Sequence, residues 1–295
     1  MNEAKREEGN MQISGVVVLY NPDHTITNNI KSYLPYLGKL YVVDNSDVKN
    51  AKLVSEVKTM ENVEYIDNQG NRGIAKALNV AAQRGLDSQA QWLLTMDQDS
   101  RFETGAVEKM LSYLESTDVS DIGIVTPLHV IPNKIYNEKE EDSPRQVLTV
   151  STSGNMLNLQ VYRNLGPFLE ELFIDAVDHE YCLRLNSKGY RVICLPAVKL
   201  FHHLGQLKRE SILGVKTTVT HHNYIRRYYI TRNRLFVASL YQHRYPKWHR
   251  RAVVSLWRDI IKIMFAEQDK LRKLRSVLRG IIDYKREIFG KFDDK

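Results

Sequence analysis

The chain has 295 residues with 43% hydrophobic and 26% charged residues, a composition typical of a globular protein. This length can bury a substantial core, either as one domain with an appendage or as two domains. The two cysteines have no metal-ligand spacing, which argues against a disulfide framework and favours a reducing, cytoplasmic compartment. No apolar run reaches the roughly 18–20 residues that a bilayer-spanning helix needs.

Charge is distributed unevenly along the chain. From residue 201 onward there are 22 Lys and Arg against 8 Asp and Glu, a balance of +14, whereas residues 1–200 hold 20 against 27, a balance of −7. An acidic first part and a basic last part predict two surfaces with different partners. Residues 1–10 are polar and charged, which predicts a disordered leader and not a signal peptide.

Short apolar runs alternate with helical stretches along most of the chain. Strands are predicted at 13–20, 39–43, 63–66, 91–96, 122–126, 147–159 and 191–200, and helices at 26–37, 72–84 and 104–114. Residues 133–145 are charged and predict an exposed loop. Strands that alternate with helices indicate βαβ units and a parallel sheet, so the predicted fold class is α/β.

The apolar run that precedes Asp97-Gln98-Asp99 ends abruptly in two carboxylates. In an open parallel sheet, ligands bind beyond the carboxyl ends of the strands, so Asp97 and Asp99 are predicted to face a ligand crevice. A hard divalent cation with phosphate oxygens on its far side would satisfy such a pair. An acidic turn without a ligand is the alternative, because Asp is a common turn residue.

Two glycine-containing stretches are also informative. Gly70 and Gly73 precede a predicted helix whose N-terminus favours anions, and Arg72 and Lys76 add positive charge there; a simple helix-capping loop would look the same. Gly154 interrupts a β-rich run and indicates a bulge or a position where a ligand approaches the backbone.

Three carboxylates within six residues precede or begin a predicted helix: Asp175, Asp178 and Glu180. Carboxylates there are favoured by the helix dipole and by free amides, so capping is an alternative to a functional role. The strand 191–200 then delivers His202 and His203 to its end. Either histidine is a candidate third ligand for a metal held by the Asp pair.

These stretches together resemble the family 2 glycosyltransferases of the GT-A fold, and more narrowly the bacterial rhamnosyltransferases of that family. The resemblance is carried by segments in the family order: VVVLYNP (16–22), VVDNS (42–46), NRGIAKALN (71–79), MDQDS (96–100), TSGNM (152–156), FIDAVDHEYCLR (173–184), FHHLG (201–205) and RYYITRN (227–233). The Q-x-x-R-W motif of processive synthases is missing, which favours the addition of one sugar or a few.

The resemblance implies a GT-A catalytic domain, with a Rossmann-like, mostly parallel sheet flanked by helices, over residues 11–240. It implies inverting transfer of L-rhamnose from dTDP-β-L-rhamnose to a lipid-diphosphate-linked glycan in bacterial surface polysaccharide biosynthesis. Mn²⁺ or Mg²⁺ would neutralise the leaving diphosphate.

The resemblance also assigns roles to individual residues. Asp99 is the expected metal ligand, with His202 completing the site and Asp97 nearer the ribose or bound through water. Asp178 takes the place of the base that accepts the acceptor's proton. Asp175 and Glu180 are the alternatives to Asp178, with acceptor binding or orientation of the helix as their expected roles. The remaining roles are acceptor binding by Gly154, base recognition by Asp44 with Tyr20, Asn71 and Lys76 nearby, and a diphosphate contact by Arg232.

Residues 241–295 combine apolar residues at helical spacing with many Lys and Arg. A basic amphipathic helix with Trp on its apolar side can lie in an anionic membrane interface, which predicts a peripheral position on the inner face of the cell membrane. The alternatives are packing on the catalytic domain or contact in a homo-oligomer.

Three other functions are alternatives to rhamnosyl transfer. The same fold could use UDP-galactofuranose or UDP-N-acetylglucosamine as donor. A non-catalytic nucleotide-sugar binding module would lose nothing when Asp178 is changed. A nucleic-acid-binding protein is disfavoured, because the chain has no recognised nucleic-acid motif. That function would also leave four aspartates unexplained: Asp97, Asp99, Asp175 and Asp178.

Overall fold

A computed structural model describes residues 11–130, 142–202, 207–212, 215–220 and 222–293; for residue 202 and for 207–212 and 215–220 only the backbone is described. The predicted leader 1–10 and His203 lie outside this part of the chain. The described residues divide into two compact units. Unit 1 lies within Met1–Phe168 and Arg184–His203, and unit 2 within Leu169–Leu183 and Leu204–Lys295.

Eleven strands are found in the described residues. They are β1 Ile13–Leu19, β2 Lys39–Asp44, β3 Val63–Asp67, β4 Trp92–Asp97, β5 Ser100–Phe102, β6 Ile122–Val130, β7 Arg145–Gln146, β8 Asn155–Asn158, β9 Arg191–His202, β10 Leu207–Ile212 and β11 Val215–Thr220. Continuous apolar runs form β1, β2 and β4, as expected for strands buried on both faces.

The α-helices in the same residues number nine. They are α1 Ile26–Lys31, α2 Ala51–Lys58, α3 Ile74–Asp87, α4 Ala106–Ser116, α5 Leu159–Leu165, α6 Val177–Ser187, α7 Tyr224–Leu240, α8 Pro246–Ala266 and α9 Lys270–Lys285. None of these described helices is long and apolar enough to cross a bilayer.

The main sheet has the strand order β3-β2-β1-β4-β8-β6-β9-β5, with β7 also on β9. The first four strands are parallel, β8 runs antiparallel between β4 and β6, and β9 is parallel to β6. Leu19 is in register with Asp44, and Asp44 with Asp67. The α/β fold class is therefore confirmed, and the carboxyl ends of the parallel strands finish together at one edge.

Each unit has its own apolar core. In unit 1 the sheet and its helices bury residues such as Val17, Val42 and Leu94 without measurable exposure. In unit 2, Leu256 of α8 and Val277 of α9 belong to one buried cluster. Helices α7, α8 and α9 all lie in unit 2, so the predicted boundary at 240/241 does not coincide with the division between the units.

Two sequence predictions differ from the structure. The β-rich run 147–159 forms only the four-residue strand β8, because Gly154 N donates to Thr95 O at 2.7 Å and turns the chain before that strand. The run then continues into α5, which was not predicted. Asn158 caps this helix, with its side-chain oxygen accepting from Gln160 N and Val161 N.

Candidate active site

Three loops that follow β1, β2 and β4 are tied together at the carboxyl edge of the sheet. Tyr20 N donates to Gln98 Oε1 at 2.9 Å, and Gln98 Nε2 donates back to Tyr20 O at 3.2 Å. Asn21 N donates to Ser46 Oγ at 2.8 Å, which connects the first loop to the second. The loops form a polar edge where an open α/β sheet binds its ligand, and we call this edge the donor crevice.

The Asp97–Asp99 turn joins β4 to β5 within the donor crevice. Its first amide, Asp97 N, donates to Ser153 Oγ at 3.1 Å, and Asp97 and Asp99 are both partly buried. β5 then pairs with the end of β9, so that the backbone of Ser100 lies opposite His202. The fold therefore brings the strand end that carries His202 close to the Asp97–Asp99 turn in the backbone.

The carboxylates of this turn suit a hard divalent cation, since Mg²⁺ and Mn²⁺ prefer oxygen ligands. His202 could supply a further ligand from the neighbouring strand, but its side chain is outside the described part. Within the described residues, no group of three or more His, Cys, Asp and Glu side chains is placed to hold a metal. The two carboxylates fit a cation, and the complete ligand set remains a prediction.

Asp44, the residue predicted to recognise the nucleotide base, is almost completely buried. Its Oδ1 accepts from Ser46 N at 2.8 Å and its Oδ2 from Tyr65 OH at 2.7 Å, leaving 2% of the side chain exposed. Burial and the contact with Asp44 raise the pKa of Tyr65, so this phenol stays protonated and donates. In the structure Asp44 supports the turn after β2, and a base could meet it only through that small exposed fraction.

The loop before α3 is shaped by glycine. Gly70 and Gly73 have φ of +94° and +87°, in the region that glycine adopts without strain. Asn71 Oδ1 accepts from Gly73 N at 3.0 Å, which places Asn71 in the loop, and Lys76 is exposed in the first turn of α3. The predicted glycine loop and cationic helix start are thus present.

Gly154 is packed against side chains of the core. It is buried at φ +80°, and an added Cβ would lie 2.7 Å from Pro127 Cγ and 2.9 Å from Leu200 Cδ2. This packing and the positive φ explain why the position holds glycine, and the contact of Gly154 with an acceptor stays a prediction.

In unit 2, residues 172–178 form a loop that we call the Asp175 loop. Three of its residues that are not glycine have positive φ: Phe173 at 65°, Asp175 at 62° and Ala176 at 64°. Each such conformation costs about 1–3 kcal/mol and persists where surrounding contacts enforce it, commonly at functional sites. No pattern in the amino-acid sequence indicates this strain.

The carboxylates of the Asp175 loop have different surroundings. Asp175 Oδ1 accepts from Arg226 Nη2 at 3.2 Å, while Asp175 Oδ2 is buried with no hydrogen-bond partner among the described residues. Burial raises the pKa of Asp175, and Arg226 opposes that rise. Asp178 lies in the first turn of α6, partly exposed, with its Oδ1 accepting from His179 N at 2.8 Å.

Glu180 of α6 and Arg232 of α7 are both buried and support neighbouring segments. Glu180 is 2% exposed and accepts from Tyr241 OH at 2.9 Å, which leaves it no surface for an acceptor. Arg232 has no exposed surface, and its guanidinium donates to the carbonyl oxygens of Glu171, Leu172 and Gly290. The predicted contact of Arg232 with a diphosphate is therefore wrong, because its atoms face the protein interior.

Comparison with known proteins assigns this arrangement to a family. Residues 14–167, slightly more than half of the chain, match the family described as "Glycosyl transferase family 2". The chain is 29% identical over 296 residues to the dTDP-rhamnosyl transferase RfbF of Shigella flexneri, across 95% of this chain and 98% of that protein.

Solved structures share the fold at low sequence identity. TarS 1-349 from S. aureus aligns over 93% of this chain and 81% of its own, with a TM-score of 0.60 and 13% identity. GalNAc-T7, crystallised with UDP, GalNAc and Mn²⁺, aligns over 66% of this chain and 44% of its own, with a TM-score of 0.55 and 16% identity. Both likenesses concern the fold alone.

Proposed function

The chain belongs to glycosyl transferase family 2 and is a glycosyltransferase, and on that premise we propose that it transfers L-rhamnose from dTDP-β-L-rhamnose to a lipid-diphosphate-linked glycan. The observation that carries the proposal is the donor crevice, where the Asp97–Asp99 turn meets the loops after β1 and β2. Similarity to RfbF over nearly the full length of both chains supports the choice of donor.

The donor's diphosphate would lie at the Asp97–Asp99 turn. Asp99, Asp97 and His202 would hold Mn²⁺ or Mg²⁺ there, and the bound cation would neutralise charge on the leaving diphosphate. Asn71 and Lys76 would contact the nucleotide from the loop and first turn of α3, where the helix N-terminus favours anions. Tyr20, 46% exposed above β1, offers a ring to the nucleotide.

Asp178 is the proposed base of an inverting displacement. The acceptor hydroxyl attacks the anomeric carbon on the face opposite the diphosphate, the bond from that carbon to the diphosphate oxygen breaks and dTDP leaves, and Asp178 takes the hydroxyl proton. Asp178 stands in the first turn of α6, the end of a helix where the dipole interacts favourably with acidic side chains. Asp175 would bind the acceptor from the same loop, oriented by its bond to Arg226.

The outer face of α8 supports a lipid-linked acceptor. Val254, Trp257, Ile261, Met264 and Phe265 are between 42% and 62% exposed at helical spacing. The same helix carries the exposed basic residues Lys247, Arg250, Arg251 and Arg258. Its one acidic residue, Asp259, accepts a hydrogen bond from Arg234 of α7. An apolar stripe with basic flanks suits an anionic membrane surface, where each basic residue contributes about 1 kcal/mol.

Flotation with anionic vesicles tests the membrane proposal. The double variant Trp257→Glu, Ile261→Glu should lose binding to phosphatidylglycerol vesicles, whereas Val48→Glu, at a residue 82% exposed in unit 1, should bind like the wild type. Vesicle binding unchanged in the double variant would contradict the proposal. Dimerisation without vesicle binding would assign the face to a second copy of the chain.

The test of the reaction is nucleotide release from a panel of nucleotide sugars, with and without Mn²⁺ or Mg²⁺ and with a synthetic lipid-diphosphate glycan. We expect acceptor-dependent release of dTDP from dTDP-rhamnose that needs the metal. Release of UDP from UDP-galactofuranose or UDP-N-acetylglucosamine would keep the family and overturn the donor. If the protein binds the donor but releases no nucleotide, and a substitution of Asp178 changes neither property, the protein would instead be a binding module.

A further inference from the structure

The Asp175 loop is bound by a side chain far away in the sequence. Asn233, fully buried in α7, directs its Nδ2 to the carbonyl oxygens of Leu172 at 2.7 Å, Ile174 at 2.7 Å and Asp175 at 3.1 Å. One amide group thus contacts three carbonyls along the segment with positive φ. Such contacts are the kind that can enforce a strained backbone.

Arg232 fixes the orientation of that amide. Its Nε donates to Asn233 Oδ1 at 2.9 Å, which turns Nδ2 toward the loop. The guanidinium also lies 5.1–5.4 Å from the ring centroids of Tyr228, Tyr229 and Phe289. Burying a cation is very costly unless its N–H donors form hydrogen bonds. Here carbonyl oxygens accept those hydrogen bonds, and the aromatic rings stabilise the positive charge.

The end of the described chain belongs to the same arrangement. Arg232 Nη1 donates to Gly290 O at 2.9 Å, and Gly290 N donates to Glu171 O at 2.8 Å, one residue before the Asp175 loop. Phe292 N donates to Tyr229 OH, and the ring of Tyr229 stacks on Phe173 of the loop at 5.2 Å. Residues 289–292 therefore connect α7 to the loop from a third direction.

We propose that Arg232 and Asn233 are positioning residues that hold the Asp175 loop, and with it Asp178, in the reactive conformation, and that residues 289–292 complete this support. The role of Asp178 in this inference rests on the proposed function. Neither Arg232 nor Asn233 touches substrate, because both are fully buried. They act through the backbone of the loop.

Asn233→Asp tests the positioning role without creating a cavity. The carboxylate keeps the volume and can still accept from Arg232 Nε, but it loses the Nδ2 donor and faces three carbonyl oxygens. We expect amide exchange of residues 173–180 to accelerate at least about tenfold and kcat to fall at least about tenfold. The Kd for dTDP, measured by calorimetry, should change less than about twofold.

Asn158→Ala is the matched control. Asn158 also donates from Nδ2 to a buried carbonyl, Ile122 O at 3.1 Å, but it pairs with Trp92 at the amino end of β4, away from the donor crevice. We expect this variant to lower the free energy of unfolding without changing kcat or exchange in 173–180. Wild-type exchange in the Asp175 loop of Asn233→Asp would overturn the proposal, even if kcat falls.

A stop codon after Ile288 tests the third contact. The shortened protein should show the same faster exchange and lower kcat, while vesicle binding persists because α8 is intact. Phe292→Ala should give a smaller change in the same direction if the truncation unfolds the protein. Wild-type loop exchange in both would remove residues 289–292 from the support. Exchange decides this even if no donor turns over, so failure of the proposed reaction remains distinguishable.

Discussion

The donor crevice places its carboxylates at the ends of buried strands, whereas the Asp175 loop places them on a backbone with three positive φ angles. Neighbouring loops of the sheet support the crevice through pairs such as Tyr20 and Gln98. The Asp175 loop depends on Asn233, 58–61 residues further along the chain, and on the segment after α9. Donor binding and the chemical step should therefore respond to different substitutions.

Asp178→Asn should have the largest effect. The amide is nearly isosteric but accepts no proton, so we expect kcat for rhamnosyl transfer to fall about a thousandfold, within the range for loss of a general base. Calorimetry should find the Kd for dTDP-rhamnose unchanged, because Asp178 takes part in the chemical step. This separation of kcat from Kd is the sharpest form of the comparison.

Asp175→Asn is the control on the same loop. It weakens the pair with Arg226 and removes one buried charge, so we expect a decrease in kcat of only about tenfold. A larger loss at Asp175 than at Asp178, measured under the same conditions, would exchange their roles and make Asp175 the base.

Asp99→Ala should affect the donor crevice, and so donor binding, and not the Asp175 loop. A cation at a diphosphate contributes several kcal/mol of charge stabilisation, so losing a ligand should reduce metal-dependent donor affinity roughly a hundredfold. Calorimetry with dTDP in Mn²⁺ and in EDTA measures this directly. Asp87→Ala, at the last residue of α3, is the control and should retain the metal effect. Equal affinities of Asp99→Ala and the wild type in Mn²⁺ would exclude Asp99 as a ligand.

Most of the fold around the donor crevice could be predicted from the sequence. The strands β1 to β4 and helix α3 are local patterns, apolar runs and helical spacing, and the structure has them within a few residues of the predicted bounds. The strand predicted over 147–159 is mostly absent, because β propensity is a weak guide where tertiary contacts determine a turn. Asn158, which caps α5, is the one local signal for that helix, and it lies inside a run whose composition favours a strand.

The supports of the site were much harder to predict. The family resemblance implies a diphosphate contact for Arg232, yet no local pattern indicates that its partners are backbone carbonyls about 60 residues away. The same limit applies to Asn233 and Gln98, whose partners are set by how distant loops meet. Gly154 looked like a ligand contact because its sequence context does not reveal the side chains packed beside it.

His222 gives a smaller effect that concerns unit 2. Burial, together with Arg226 and Arg227, lowers the pKa of His222 to about 4, with Asp259 partly opposing. An unfolded chain protonates this histidine near its ordinary pKa of about 6.5. Between these two values the unfolded state binds more protons than the folded state, so stability must fall as the pH is lowered through that window.

The variant His222→Gln should lose part of that dependence. Urea unfolding at several pH values between about 6.5 and 4 should give a shallower decline in the free energy of unfolding than in the wild type. His24→Gln, at an exposed histidine in unit 1, should leave the slope unchanged. Because Arg226 also bonds Asp175, the amide protection factors of the Asp175 loop, which correct for the intrinsic pH dependence of exchange, should fall over the same pH range in the wild type. Protection of the loop that does not change with pH would instead separate His222 from the support of Asp175 and confine its effect to the start of α7.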